Sequence, residues 1–404
     1  MTTITRVRVI RTRANLGWTI VKIETNDPGL YGIGSASDLY SPGGVTAVLE
    51  ELYAPQLIGR DPADIEDIWQ TLYASGYWRN GAASNTALGG IDVALWDIKG
   101  KQAGMPVYQL LGGRARNAVP CYAHAGGATI DELIEDVAGY VAEGWPVIRA
   151  QLGSYGGGGF VPRPDQAERY GSDRSPVFDD EAYLKAIPDM FAALRDHFGF
   201  DVKFNHDVHE HLHPINAVRL ASLLDPYRLF FLEDVLPPER INWYRTLRQR
   251  SSTPQAIGEL FVSPHEWRPL IEEELIDFIR TRVSKVGGIS GARRIATLAD
   301  AHGVRTAWQE GGDNDPVNLA AAFHLDMSTW NFGIQEENGF TDDEHEAFPG
   351  APFVDRGYLH PTDTPGLGVD IDEAKAAKLP SKADESYHRS YPIDRRADGT
   401  AVRP

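Results

Sequence analysis

The sequence predicts an α/β protein: a closed barrel of strand–helix units preceded by a smaller α+β domain. Three observations carry this. From about Val119 onward, apolar strands near Val147, Val202, Leu229, Ala256, Ile279 and Val304 alternate with helical patterns. Such strands, apolar without alternation, belong to a parallel sheet covered on both faces. Asp207, Glu233 and Glu259 each close a short apolar run (DVKFNHD, RLFFLED, PQAIGE) at equal intervals of 26 residues. That interval spans one strand, one helix and two loops, so the three acids read as strand-end residues of successive units. No G-x-G-x-x-G follows a first strand, which argues against a dinucleotide-binding open sheet.

The elements follow in order. Residues 4–11 and 19–24 alternate apolar and polar side chains, as half-buried antiparallel strands do. Asn26, Asp27, Pro28 and Gly29 form a turn leading into LYGIGSAS. Leu88, Ile91, Leu95 and Ile98 fall on one helical face. Gly104, Pro106, Gly112 and Gly113 mark the end of that region, so residues 1–118 form the α+β domain. Residues 119–357 carry the strand–helix units, with helices over 180–198, 216–224, 239–250, 265–275 and 291–302. Residues 358–404, through DTPGLGVDID, are turn-rich and are expected to pack back on the first domain. The segment LGSYGGGGFVPRPDQAERYGSDRSP, after the Arg149 strand, is too long for an ordinary connection; such loops are functional or disordered. Its position after a barrel strand puts it on the active-site face, with hinge-like freedom from its glycine run.

At 404 residues the chain exceeds one typical domain, and 42% hydrophobic residues suffice for a sizeable core. A formal charge of -18 argues against nucleic acid as a partner. It does not exclude an anionic substrate, because a bound metal and a few arginines set the local potential. The single cysteine, Cys121, allows no internal disulfide and suits a reducing compartment. The start, MTTITRVRVIRTRANLGW, has no apolar core of signal-peptide type, and no apolar run reaches membrane-spanning length. A cytoplasmic homo-oligomer acting on a small molecule, with no membrane partner, is expected.

Side chains at the C-terminal ends of neighbouring barrel strands converge on one pocket. Three carboxylates gathered there repel each other unless a cation lies between them, and Mg²⁺ is the hard, oxygen-preferring ion that keeps positions free for substrate. The same acids would also suit helix N-caps. Four histidines, His206, His209, His211 and His213, follow or flank Asp207. They fit a zinc site, a solvent-facing polar loop, or an acid–base group beside the metal. His209, two residues past Asp207, would point to the same side in an extended segment. Arg149 ends the first barrel strand, and Tyr155 follows in the glycine-rich loop. A close guanidinium favours a phenolate, so Arg149 is expected to lower the Tyr155 pKa from about 10. Packing of Tyr155 on the domain surface is the plainer alternative.

The runs IDVALWDIKGKQAGMPVYQLLGG and PGLGVDID, with the Asp207/Glu233/Glu259 spacing, resemble the enolase superfamily in its mandelate racemase/muconate lactonizing enzyme branch. GRDPADIEDIWQTLY, VIRAQ, FLED, AIGE and NFGIQE resemble the mannonate dehydratase subgroup. The resemblance implies a modified (β/α)₇β barrel under an α+β cap, with one Mg²⁺ held by Asp207, Glu233 and Glu259. It implies dehydration of an acid sugar such as D-mannonate or D-gluconate to a 2-keto-3-deoxy acid. In that chemistry Tyr155, paired with Arg149, matches the base that removes the proton next to the carboxylate, with Tyr170 as the fallback. His209 matches the acid that helps the 3-hydroxyl leave, with base and acid on opposite sides. His124, Arg280, Asp313 and Glu336 fall where the family contacts substrate.

Three departures stand out. Gln309 replaces a substrate-binding histidine after the strand TAW, ENGF replaces an aromatic and basic stretch, and the tail RADGTAVRP lacks a tryptophan that reaches the pocket. The metal and enolising parts are thus expected with altered sugar recognition. The possibilities are weak or changed acid-sugar dehydration, dehydration or epimerisation of another hydroxy acid, or a metal-binding ligand sensor.

Overall fold

The computed structural model describes residues 1–162, 175–379 and 393–402. β1 (Ile4–Thr12), β2 (Trp18–Thr25) and β3 (Tyr31–Ser35) form an antiparallel sheet in that order. The helix Ala82–Ala103 crosses β3 so closely that a Cβ on Gly34 would run into Gly90 O. Leu88, Ile91, Leu95 and Ile98 pack there with Val21 and Ile23. The opposite side of the helix is buried as well, because it is wedged against the helix Gly288–Ala301. Trp96 Nε1 donates to Ser290 Oγ at 3.0 Å, and Ser290 N donates to Asp92 Oδ2 at 2.9 Å.

The second part is a closed parallel barrel. Its strands are β4 (Val119–Gly127) and β5 (Val147–Leu152), then, past the small hairpin of β6 (Phe160–Val161) and β7 (Val177–Phe178), β8 (Phe204–Asp207), β9 (Phe231–Glu233), β10 (Gln255–Ile257), β11 (Phe278–Ile279), β12 (Arg305–Thr306) and β13 (Gln335–Glu336). Neighbours pair in parallel from β4 to β12, skipping the hairpin. β13 closes the ring by pairing in parallel with β4 and bridging to β12 through Phe332 and Thr306. Among the described residues, seven α-helices, Ile130–Glu143, Asp180–Phe198, Pro214–Leu224, Tyr244–Arg250, Pro264–Glu272, Gly288–Ala301 and Pro316–Ser328, lie between the eight strands. This is the (β/α)₇β barrel with an N-terminal cap. Tyr122, Phe231, Ala256, Phe278, Ala307 and Ile334 cluster together, while Ile148, Leu232, Ile257 and Ile279 join the main core. Burial on both faces is why these strands are apolar without alternation.

Two expected boundaries change. The helix predicted over 239–250 opens as a 3-10 turn, Pro238–Trp243, and becomes α-helical only at Tyr244. The tail first forms a hairpin of β14 (Val354–Asp355) and β15 (Tyr358–Leu359), which pairs antiparallel with β4. It then meets the cap: Leu367 N donates to Asp97 Oδ1 at 2.9 Å, and Glu373 pairs with Arg8 and Lys22 at 2.5 and 2.9 Å. Residues 393–402 lie on the barrel instead of the cap: Arg396 forms an ion pair with Asp180, and Asp394 Oδ2 lies 3.2 Å from His211 Nε2. Among the described residues, no helix is long and apolar enough to cross a membrane.

Candidate active site

The barrel delivers nearly every expected residue to one mouth. His124 lies on β4, Arg149 on β5, Asp207 ends β8, Glu233 ends β9 and Glu336 ends β13. Glu259 and Arg280 follow β10 and β11 by one or two residues, and Gln309 and Asp313 lie in the loop after β12. Parallel register sets this convergence: His124 is level with Arg149, and Asp207 with Glu233.

Glu336 is the hub of the charge network. It lies 3.2 Å from His124 Nε2, 3.6 Å from Arg149 Nη1 and 3.0 Å from Arg280 Nη2. Arg149 also reaches Asp207 Oδ2 at 3.4 Å, and Arg280 forms a close pair with Glu233. Burial works to raise the Glu336 carboxyl, but Arg280, His124 and Arg149 together hold it well below its ordinary value. Burial, aided by Arg149, pushes His124 down to about 4, so this imidazole is neutral.

The carboxylates deeper in the mouth have too little positive charge around them. Burial and mutual repulsion push Asp207, Glu233 and Asp234 upward despite Arg149 and Arg280. Glu233 Oε2 is buried without a hydrogen-bond partner among the described residues. The carboxylates whose oxygens lie within 4.8 Å of one another are Glu233, Asp234 and Glu259. This differs from the expected trio in its first member. Asp207 turns one oxygen to Arg149, and its Oδ1 accepts from His209 N at 2.9 Å. Clustered, under-compensated carboxylate oxygens are the donor set a hard divalent cation takes.

The four histidines separate by environment. His206 is fully buried between Ala150 O and the Tyr183 hydroxyl, each 2.8 Å away, and is structural. His211 is held by His209 O at 2.7 Å and by Asp394. His213 precedes the helix Pro214–Leu224, its N–H donating to Asp180 at 3.1 Å. Only His209 turns to the mouth, and no histidine belongs to the acidic cluster, so the zinc alternative has no geometry among the described residues. The segment is not extended as expected: His209 and Glu210 have φ of 53° and 63°. This left-handed turn stacks the His209 ring on Tyr155, centroids 4.1 Å apart.

Tyr155 lies where Arg149 Nη2 donates to its hydroxyl at 3.2 Å. The expected lowering of its pKa does not follow. Burial raises the phenol, and Asp207, Glu259 and Glu336 add to the rise against Arg149. The Tyr155 and His209 rings lie side by side, with an interplanar angle of 27°. Tyr170 lies outside the described residues.

Sequence reasoning missed two participants. Asp234 directly follows Glu233, and its φ of 39° turns it inward, a feature no spacing encodes. Arg282, two residues past Arg280, holds both Gln309 and Asp313. The departing ENGF segment packs beside them: Asn338 Nδ2 donates to Glu310 O at 2.9 Å, and Phe340 meets Trp18 of the cap edge-on at 6.2 Å.

Comparison with known proteins fits this architecture. The mandelate racemase / muconate lactonizing enzyme N-terminal domain model matches residues 4–112, and the enolase C-terminal domain-like model matches residues 133–375. The chain belongs to the mandelate racemase/muconate lactonizing enzyme family. Within this enolase-superfamily group, a D-galactonate dehydratase family member from Paenibacillus sp. (strain JDR-2) is 61% identical, covering 100% of both chains. A D-mannonate dehydratase from Caulobacter vibrioides is 43% identical over 97% of each. The crystal structure of an enolase from Pantoea ananatis with bound D-gluconate and Mg superposes with a TM-score of 0.92, at 47% identity and 100% coverage of each chain. The membership found is the one the motifs resembled.

Proposed function

We infer that the protein is a hydro-lyase that dehydrates an acid sugar to a 2-keto-3-deoxy acid, with Mg²⁺ as cofactor. The observation that carries this reading is the joint placement, at one barrel mouth, of an under-compensated carboxylate cluster and the stacked Tyr155–His209 pair. The dehydratase names of the full-length relatives and the D-gluconate and Mg bound to the Pantoea ananatis protein support it.

Glu233 and Glu259 are the residues that would hold Mg²⁺, with Asp207 or Asp234 as the third carboxylate. When bound, the ion supplies positive charge where negative charge develops on the substrate carboxylate, and offsets the carboxylates that oppose a Tyr155 phenolate. Arg149 orients the Tyr155 oxygen, which takes the proton next to the carboxylate. His209, stacked alongside, gives a proton to the departing 3-hydroxyl. His124 and Arg280, fixed by Glu336, line the same mouth.

The deciding experiment is a screen of acid sugars for keto-acid formation with Mg²⁺. Turnover of at least one acid sugar is expected, and none across the panel would overturn the reading. D-mannonate is expected to be a poor substrate, because Gln309 cannot supply the charge a histidine carries. A lost charge-assisted hydrogen bond is worth about 1.5–3 kcal/mol, or roughly ten- to a hundredfold in rate. Gln309→His should recover only part of that activity, since the ENGF segment also shapes the pocket.

A further inference from the structure

Arg282 is 7% exposed and lies just past β11. Its Nε donates to Gln309 Oε1 at 2.8 Å, and its two terminal nitrogens hold the Asp313 oxygens at 2.9 and 2.5 Å. A guanidinium has only N–H groups to offer, so this contact decides which end of the Gln309 amide faces it. Oε1 is taken, and Nε2 has no hydrogen-bond partner among the described residues. That nitrogen lies over Gly311, where an added Cβ would meet it at 2.6 Å and Asp313 Oδ1 at 3.3 Å. The cap closes the other side: Trp18 Nε1 donates to Asp313 O at 2.9 Å. The nearby Lys285 is paired with Asp38 of the cap.

We propose that Arg282 is a positioning residue for substrate selection, fixing Gln309 as an N–H donor beside a charge-neutralised Asp313 and so making the cap-side subsite select the hydroxyl-bearing end of a mono-acid sugar. A hydroxyl both accepts and donates, which suits an amide N–H next to a carboxylate oxygen. A second carboxylate would face Asp313 while Arg282 and Lys285 are both engaged. An ammonium would meet the N–H groups of Gln309. The inference rests on the acid-sugar reading above and adds the property of the sugar that is selected.

The test is calorimetric binding, with Mg²⁺ present, of three probes that differ at the terminal carbon: D-gluconate, D-glucarate and 6-amino-6-deoxy-D-gluconate. The wild-type protein is expected to bind D-gluconate at least tenfold more tightly than the other two. Arg282→Gln leaves Asp313 without its counter-charge and should shift preference at least tenfold towards the amino probe. Arg282→Lys keeps the charge and should restore the wild-type order. Gln309→Glu is isosteric, keeps an oxygen for Arg282 and replaces Nε2 with an acceptor, so the same shift is expected; it decides the matter if Arg282→Gln does not fold. An unchanged probe order in Gln309→Glu, or tightest wild-type binding of D-glucarate, overturns the proposal while leaving the acid-sugar reading standing. Binding of none of the probes by the Mg²⁺-loaded wild type removes that reading, and this inference with it.

Discussion

At the scale of single residues, Tyr155 presents the sharpest conflict between chemistry and environment. Burial and three carboxylates raise its phenol, and Arg149 alone works the other way. A base in such a place operates only when the neighbouring negative charge is offset. Tyr155→Phe is therefore expected to lower exchange of the substrate α-proton with D₂O by about 10²-fold or more, the usual weight of a positioned base. His209→Asn should block release of water yet leave that exchange in place, because the Tyr155–Arg149 contact does not depend on the imidazole. Proton NMR of the substrate in D₂O, run beside a keto-acid assay, separates the two. Wild-type exchange in Tyr155→Phe would move the base elsewhere, first to Tyr170.

At the scale of elements, the glycine-rich loop after β5 does what no strand could. Gly153, Gly156 and Gly158 have φ of 71°, 71° and 85°, and a Cβ on Gly157 would run into Leu152 O. The loop thus folds back on the end of its own strand and sets Tyr155 over Arg149. Gly157→Ala should force the loop away, at a cost of about 1–3 kcal/mol. Proton exchange is expected to fall at least tenfold while Mg²⁺ affinity, set by other strands, stays near wild type. Full exchange in this variant would show that the tight fold-back is not needed to place the phenol.

For the whole molecule, two ties can be read out by melting. A divalent ion that binds only the folded barrel mouth stabilises it by about 2.7 kcal/mol at a hundred times its Kd. Mg²⁺ should raise the Tm of the wild type, and Glu233→Gln should cancel most of that rise. Comparing Asp207→Asn with Asp234→Asn then shows which aspartate completes the set. The second tie joins tail to cap. Hydrogen bonding by Arg8, with further help from Lys22 and against burial, pulls Glu373 from 4.5 to about 2. The folded value lies below the unfolded one, so the stabilisation is complete above pH 4.5 and is lost as pH falls towards 2. Glu373→Gln should lower the Tm at neutral pH, with the gap to wild type closing across that acid range. A constant gap would mean that the contact works through packing and not through charge.

The sequence by itself indicated a strand–helix barrel behind an α+β cap and six of the barrel's strands, from the one near Val147 to the one near Val304. Buried parallel strands must be apolar, their connections must be helical, and equal spacing then puts Asp207, Glu233 and Glu259 at successive strand ends. Motif likeness located His124, Arg149, Arg280 and Glu336 at the same mouth. What the sequence could not carry is the direction in which a side chain turns once its strand has ended. The left-handed backbone of His209 and Asp234, the stacking of His209 on Tyr155, and the grip of Arg282 on Gln309 and Asp313 depend on backbone angles and on neighbours brought from other strands. The rise in the Tyr155 pKa has the same origin: the arginine that lowers it is six residues away in the chain, whereas burial and the opposing carboxylates arise only when the barrel closes.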